Sequence, residues 1–393
     1  MSKRIVFSAI AVVTALVALG FGQKALDSSV QAQGKQAPMF EVDPFWPRPL
    51  PNHWILGSTI GIGVDSRDHI YIIHRRDTFD ERTEIGAATD PVGADCCIPA
   101  PNVLEFDPDG NLVNHWGGPG DGYTWPASNH GITIDHKDNV WIGGNGNSDS
   151  HILKFSRDGK FLAEYGVPGS DTDSHSPTNF GSVAEISIDP EANEAYVADG
   201  YRNRRVAVLD ADSGKMKRYW GAYGNEPDDA DPGPFVPGGD PSQQFRTPVH
   251  CAQPSHDGLV YVCDRVNNRL QVFKTDGTFV REMFVKPNSL GDGSVWDISF
   301  SPDPEQTFIY MADGTNRKIF IIERETLEIL TNFGDGGRNP GQFFAVHGLV
   351  TDSKGNIYTT ETYEGKRVQK FTYKGMGPVT VMDQGTPWPT DKK

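Results

Sequence analysis

Cysteine is what this chain has least of: four in 393 residues, Cys96, Cys97, Cys251 and Cys263. Their spacing matches no zinc ribbon and no thioredoxin-type pair, so the usual cysteine-built sites are set aside. Basic residues are also short, 36 Lys and Arg against 52 Asp and Glu, for a net charge of −16. Nucleic-acid partners need clustered Lys and Arg, so the balance argues against one. Acidity of this size serves solubility. Past residue 40 no stretch repeats apolar residues at the helical period, which argues against a helical domain.

The one long apolar run is at the start. Lys3 and Arg4 precede Ile5–Gly22, and Val30-Gln31-Ala32 carries small residues where a signal peptidase reads. The pattern predicts a signal peptide over 1–32, cleaved after Ala32, and a periplasmic or extracellular protein. An uncleaved membrane anchor is the alternative, since the run is near the lower limit for spanning. Export permits disulfides. Cys251 and Cys263 fall on neighbouring strands of one expected hairpin and are placed to meet. The adjacent Cys96 and Cys97 would make a strained ring if joined to each other.

What the chain has in quantity is glycine and proline, 43 and 28 residues, as many short strands and turns require. The stretch Thr247–Asp276, TPVHCAQPSHDGLVYVCDRVNNRLQVFKTD, shows the unit. A first strand opens at His250, a second spans Leu259–Cys263, and a third spans Arg269–Lys274. The second strand recurs as HIYIIHR from His69, NVWIGGN from Asn139, EAYVADG from Glu194, FIYMADG from Phe308 and NIYTTET from Asn356. Third strands follow each, and several lead through D-G into a fourth strand ending W-G, Y-G or F-G. Six copies of a four-stranded unit predict an all-β fold, a six-bladed β-propeller over residues 40–377. The last blade shows three strands, and its fourth is expected from Met39–Phe45. Residues 33–39 read as a linker and 378–393 as a loose tail. Insertions at Thr78–Pro101 and Asn225–Phe245 have the composition of mouth-shaping loops.

Counting back five residues from the end of each first strand gives Ile60, His130, Ala184, His250, Trp296 and His347. Histidine fills this slot in blades 2, 4 and 6. Alternate blades of six lie a third of a turn apart, so three imidazoles converge on the axis. That is the usual ligand set of catalytic zinc. A wet channel lined by polar side chains is the alternative. The slot just past the second strand holds Arg75 in blade 1 and Arg265 in blade 4, across the ring from each other. Arginines near a metal bind carboxylates bidentately; a salt bridge to Asp77, Asp264 or another loop acid is the competing role. Tyr201 sits one residue beyond the same slot in blade 3. A phenol beside a cation and an arginine can give up its proton and serve as a base, with loop packing its ordinary role.

These residues carry a family resemblance. NHGITIDHKDNVW around His130, YVADGYRNRR around Tyr201, and VHCAQ with VCDRVNNRLQVFKTDGTFVRE from His250 to Glu282 resemble the lyase domain of peptidylglycine α-amidating enzymes. So do HRRD at His74–Asp77 and VHGLVTDSKGNIY from Val346. That domain is a six-bladed propeller of the NHL-repeat type, and the likeness covers most of residues 55–375. The resemblance implies zinc on His130, His250 and His347, Tyr201 as base, and Arg75 and Arg265 as substrate binders. It implies cleavage of a peptidyl-α-hydroxyglycine to a peptide amide and glyoxylate. The substrate would carry a free carboxylate, and a separate monooxygenase would supply it, since no copper monooxygenase domain is found in this sequence.

Departures from the family are specific. The aspartate that helps hold its structural calcium is Gly348 here, a pocket methionine is Ala345, and a disulfide cysteine is Arg202. Zinc therefore carries over better than calcium or substrate. Two other readings compete: a non-catalytic NHL-type binding propeller, and a calcium-dependent lactonase-like hydrolase, for which Glu185 and Asp297 are the acids nearest the axis.

Overall fold

The computed structural model describes residues 34–389. The expected signal segment, its cleavage point at Ala32 and the last residues of the tail lie outside them. Within them are six four-stranded antiparallel sheets. Blade 1 is Thr59–Val64, Ile70–His74, Val103–Phe106 and Leu112–Trp116; blade 4 is Val249–Pro254, Leu259–Asp264, Arg269–Lys274 and Phe279–Phe284. The innermost strands of successive blades touch in order around a closed ring. Blade 6 is completed by the N-terminal strand Gln36–Asp43, which pairs antiparallel with Arg367–Pro378. The expected closure is present, begun three residues earlier than Met39.

The repeat makes a ring because one sheet cannot cover itself. Each second strand is sandwiched and buried on both faces, so it reads as a continuous apolar run. Its central aromatic, Tyr71, Trp141, Tyr196, Tyr261, Tyr310 or Tyr358, is almost wholly inaccessible. Each of these rings packs into the next blade. Tyr261 joins Val285, Val295 and Ile309, whereas its neighbours Val260 and Val262 face back toward Tyr196 and Val208. Strand alternation thus assigns each residue to one of two seams. A buried aromatic of this size contributes roughly 1.5–3 kcal/mol. Outer strands are half exposed and alternate, as in Leu112–Trp116.

Connections from second to third strands and from blade to blade leave at one mouth of the ring. The insertion after Arg75 contains a one-turn helix, Ile85–Ala88. It is tied to blade 6 by the Glu84–Lys366 ion pair. The second insertion is tied to blade 3, where Asp229 accepts from Ser174 and Arg204 donates to the Ala230 carbonyl. The described part of the tail is bound along the outer strand of blade 5: Asn332 N–H donates to the Met382 carbonyl and Gly334 N–H to Gly385. Cys251 and Cys263 stand opposite each other in blade 4, 4.8 Å apart at Cα, and are joined. Cys96 and Cys97 are joined to each other within the first insertion.

Candidate functional site

Five of the six slot residues share a backbone device. Ladder register slips at Ile60, at His130-Gly131, at Ala184, at His250 and at His347-Gly348. In blade 5 the ladder begins at Asp297, just past Trp296. A bulge takes a residue out of the pairing pattern and re-aims it. Here it serves two purposes. In blades 2, 4 and 6 it turns an imidazole toward the axis. In blades 3 and 1 it offers a carbonyl to that imidazole, and in blade 5 Trp296, just before the ladder begins, does the same. His130 Nδ1 donates to the Ala184 carbonyl at 2.7 Å, His347 Nδ1 to Ile60 at 2.8 Å, and His250 Nδ1 to Trp296. Close approach of the strands is needed: a Cβ on Gly131 would lie 2.6 Å from the Ala184 oxygen.

A proton fixed on each Nδ1 leaves each Nε2 with a lone pair facing inward. The ligating nitrogens lie within 4.8 Å of one another, and the ring centroids stand 4.8–5.2 Å apart. All three residues are buried. Burial, then the neighbouring imidazoles and arginines, holds His130 and His250 well below the usual histidine range, and burial with both arginines lowers His347 to about 3. The three are therefore neutral at physiological pH. His250 Nε2 is buried without any protein partner. An orphaned acceptor of this kind costs free energy unless something occupies it. Three neutral nitrogens, each oriented by a carbonyl behind it, are the donor set of a zinc-type cation.

The other sequence candidates border the same space. Tyr201 hydroxyl donates to His130 Nε2 at 2.8 Å, and its ring edges against His130 and His250. Arg265 Nη1 is 3.5 Å from that hydroxyl. Arg75 donates to the Asn129 carbonyl at 3.1 Å and to Asn145 Oδ1 at 2.7 Å. Among the described residues it makes no ion pair with Asp77 or any other acid. Burial lowers its pKa, with Tyr201 acting the other way. Asp264, the suggested partner of Arg265, instead binds Arg269 at 2.7 Å. Arg265 meets a different loop acid, Asp292, at 3.4 Å. The mouth of an acidic protein thus presents two guanidinium groups with little local compensation.

Sequence reasoning missed several residues. Trp296 supplies the carbonyl for His250, and its ring lies under Arg265 at 4.6 Å. Asn145 positions Arg75 and occupies the same blade slot as the arginines, which was the available signal. His74 and His151, which nothing in the sequence marks as buried, are buried and donate from Nε2 to the backbone carbonyls of Pro101 and Thr124. They sit on strands whose inward faces decide their burial. Inside the ring a narrow cavity of about 40 Å³ runs from the histidines to Glu185 and Asp297. These two carboxyl groups lie within 4.8 Å of each other, and Cys251 beside them is held in its disulfide and offers no thiolate. At Gly348 a side chain would crowd Thr360 Oγ1 at 3.1 Å and the Ile60 oxygen at 3.3 Å, so nothing there replaces the family's calcium aspartate.

No family model matches the chain. Curated relatives do. Peptidylglycine alpha-amidating monooxygenase of Rattus norvegicus is 27% identical over 339 residues, 80% of this chain and 30% of the rat protein. Peptidyl-alpha-hydroxyglycine alpha-amidating lyase 1 of Drosophila melanogaster is 24% identical over 84% of this chain and 59% of its own length. NHL repeat-containing protein 3 of Mus musculus is 26% identical over 85% of this chain and 84% of its own length. The chain therefore spans about a third of the monooxygenase it matches. Among solved structures, a streptogramin B lyase superposes with a TM-score of 0.52 at 13% identity, over 85% of this chain and 98% of that one, which supports the propeller fold. The family resemblance read from the residues holds at this modest identity.

Proposed function

We propose that this chain is an exported, zinc-dependent carbon–nitrogen lyase that splits an N-acyl or peptidyl α-hydroxyglycine into an amide and glyoxylate. The observation that carries the reading is the set of three bulged histidines on alternate blades, each oriented by a carbonyl of the next blade, with Nε2 turned toward the axis, where His130 Nε2 meets only the Tyr201 hydroxyl and His250 Nε2 has no protein partner. Similarity to the fly lyase and the rat monooxygenase supports the choice of substrate. The Cys251–Cys263 pair and the N-terminal apolar run support export. A separate monooxygenase would supply the hydroxylated substrate.

Zinc on the three Nε2 atoms would supply Lewis acidity toward the substrate's oxygens. The remaining work falls to the chain. Arg265 and Arg75 hold the carboxylate at the mouth. Tyr201 serves as the base for the proton of the carbinol hydroxyl. The carbinol oxygen becomes the aldehyde oxygen of glyoxylate as the C–N bond breaks. The nitrogen keeps the bonding pair and takes the proton back from Tyr201, leaving the amide. The buried imidazoles and the narrow cavity beneath keep bulk water from the cation, where these charges count most.

The test is metal content and glyoxylate release by purified protein, wild type beside a His130, His250, His347→Ala variant. About one zinc per chain and glyoxylate from N-benzoyl-α-hydroxyglycine, both lost in the variant, are expected. Zinc without turnover of any hydroxyglycine would remove the lyase. A binding propeller is the second reading, favoured by the extent of the match to NHL repeat-containing protein 3. It expects metal removal to change stability and expose no activity.

A further inference from the structure

Arg265 is a buried guanidinium, 6% exposed, that is poorly held. Its contacts to Tyr201 and Asp292 are long, 3.5 and 3.4 Å, and its Nε has no partner. Two other buried arginines of the same protein set the standard. Arg205 holds Asp199 at 2.8 Å and Arg269 holds Asp264 at 2.7 Å, and all four side chains are fully inaccessible. Asp292, by contrast, is 45% exposed. Its tighter bond is to another residue: Tyr363 hydroxyl donates to Oδ2 at 2.8 Å.

The surroundings aim this carboxylate at Arg265 without fastening it there. Asp292 lies between Gly291 and Gly293, both at positive φ, +67° and +74°. Gly293 packs so closely that a Cβ would sit 2.0 Å from the Arg265 carbonyl oxygen, while Gly291 meets nothing. One side of the loop tip is thus anchored to Arg265's own backbone and the other is free. Tyr363 is itself held at positive φ, +53°, with its N–H donating to Ser58 Oγ at 2.9 Å. It reaches from blade 6 over one side of the mouth.

We infer that Asp292 is a resident stand-in for the substrate carboxylate on Arg265, displaced when substrate binds and retained meanwhile by Tyr363. A buried guanidinium left bare would carry a desolvation penalty. Asp292 lowers that penalty at long range, yet leaves Nε and the short bidentate geometry for a better-placed carboxylate. Asp292 then sets specificity: a ligand must bring a carboxylate able to form the close pair, and neutral or poorly aligned ligands do not compete. This deepens the lyase reading and rests on it for the substrate class.

The experiment titrates N-benzoylglycine, which has the carboxylate, and N-benzoylglycinamide, which lacks it, into the zinc-loaded full chain by calorimetry. Wild type, Asp292→Asn and Tyr363→Phe are compared, with melting temperatures to confirm folding. Asp292→Asn is expected to bind the acid about tenfold more tightly, since a competing like charge is removed. Tyr363→Phe should tighten it by a smaller factor, and the amide should be unaffected. Equal or weaker acid binding in Asp292→Asn would overturn the inference, because a supporting role for Asp292 predicts that outcome. So would failure of every form to bind the acid, or equal tightening of acid and amide. Glyoxylate release from N-benzoyl-α-hydroxyglycine is followed in parallel. Tighter acid binding without turnover would remove the lyase and leave the displacement standing; turnover with unchanged acid binding would do the reverse.

Discussion

His347 Nδ1 lies 2.8 Å from the carbonyl oxygen of Ile60, a bond 287 residues long in sequence that crosses the seam where the last blade meets the first. The same bond is made from His130 to Ala184 and from His250 to Trp296. Packing blade against blade and orienting the three histidines therefore use the same contacts. Seam geometry should set metal affinity. Gly131→Ala places a methyl 2.6 Å from the Ala184 oxygen and must push blades 2 and 3 apart. Zinc affinity, measured by competition with a chelating dye, should fall about 10- to 100-fold, as when an outer partner of a ligating histidine is lost. Unchanged affinity would mean that the carbonyl does not hold the ring.

Tyr201→Phe separates binding from chemistry. Only the hydroxyl that donates to His130 Nε2 at 2.8 Å is removed, and the ring packing stays. Turnover of an α-hydroxyglycine should drop about 10²- to 10⁴-fold, the range of a positioned base, with zinc content unchanged. Loss of zinc together with turnover would make Tyr201 a support of the metal site instead.

The N-terminal strand should matter as much as any central one. Phe40 packs edge-on to Tyr310 at 5.4 Å and against Phe333 at 5.5 Å, between blades 5 and 6. Phe40→Ala is expected to cost about 3–5 kcal/mol. A urea titration reads this directly. A cost below about 1 kcal/mol, the size of a surface change, would show that the closing strand is dispensable to the ring.

Parts of this arrangement were legible in the sequence because they depend on strand period alone. Tyr71, Trp141, Tyr196, Tyr261, Tyr310 and Tyr358 recur at one position of a buried strand, and counting from the first-strand ends puts His130, His250 and His347 in register. Three of the six slots held no histidine, and their role was invisible. Ile60, Ala184 and Trp296 act through carbonyls, which every residue has, so side-chain identity carries no signal. Arg265 was found by register, but its partner was not. Asp292 stands in the loop between blades 4 and 5, outside the repeat, and Tyr363 follows the blade 6 slot as Tyr201 follows that of blade 3; only the fold brings the two to one mouth. His74 and His151 fall on expected strands, but nothing in the sequence says that their side chains turn inward.

Below the histidines, Glu185 and Asp297 make a different prediction. Asp297 is buried and accepts from Leu349 N–H at 2.8 Å and Ile298 N–H at 2.7 Å. Glu185 accepts from Gln253 and faces Asp297 within 4.8 Å, so that one shared proton would relieve both carboxylates. The titratable groups nearby are above them: the three neutral histidines, then Arg75 and Arg265 at the mouth. Burial raises Asp297 from 3.8 to about 7 and, with the neighbouring carboxylate, raises Glu185 well above its usual range. Both folded values lie above the unfolded ones. Between about pH 4 and 7 the native state thus binds protons that the unfolded chain has released, and stability falls as pH rises across that window. Glu185→Gln should fix the protonated pattern, because the amide can donate to Asp297 where the shared proton sits. The variant is expected to melt close to wild type at pH 5, several degrees above it at pH 8, and with a flatter profile between. The comparison is made with zinc bound and after chelation, so that a change in metal occupancy is seen separately. A variant that loses stability at pH 8 in both states would mean that the pair is ionised and needs a cation there, not a proton.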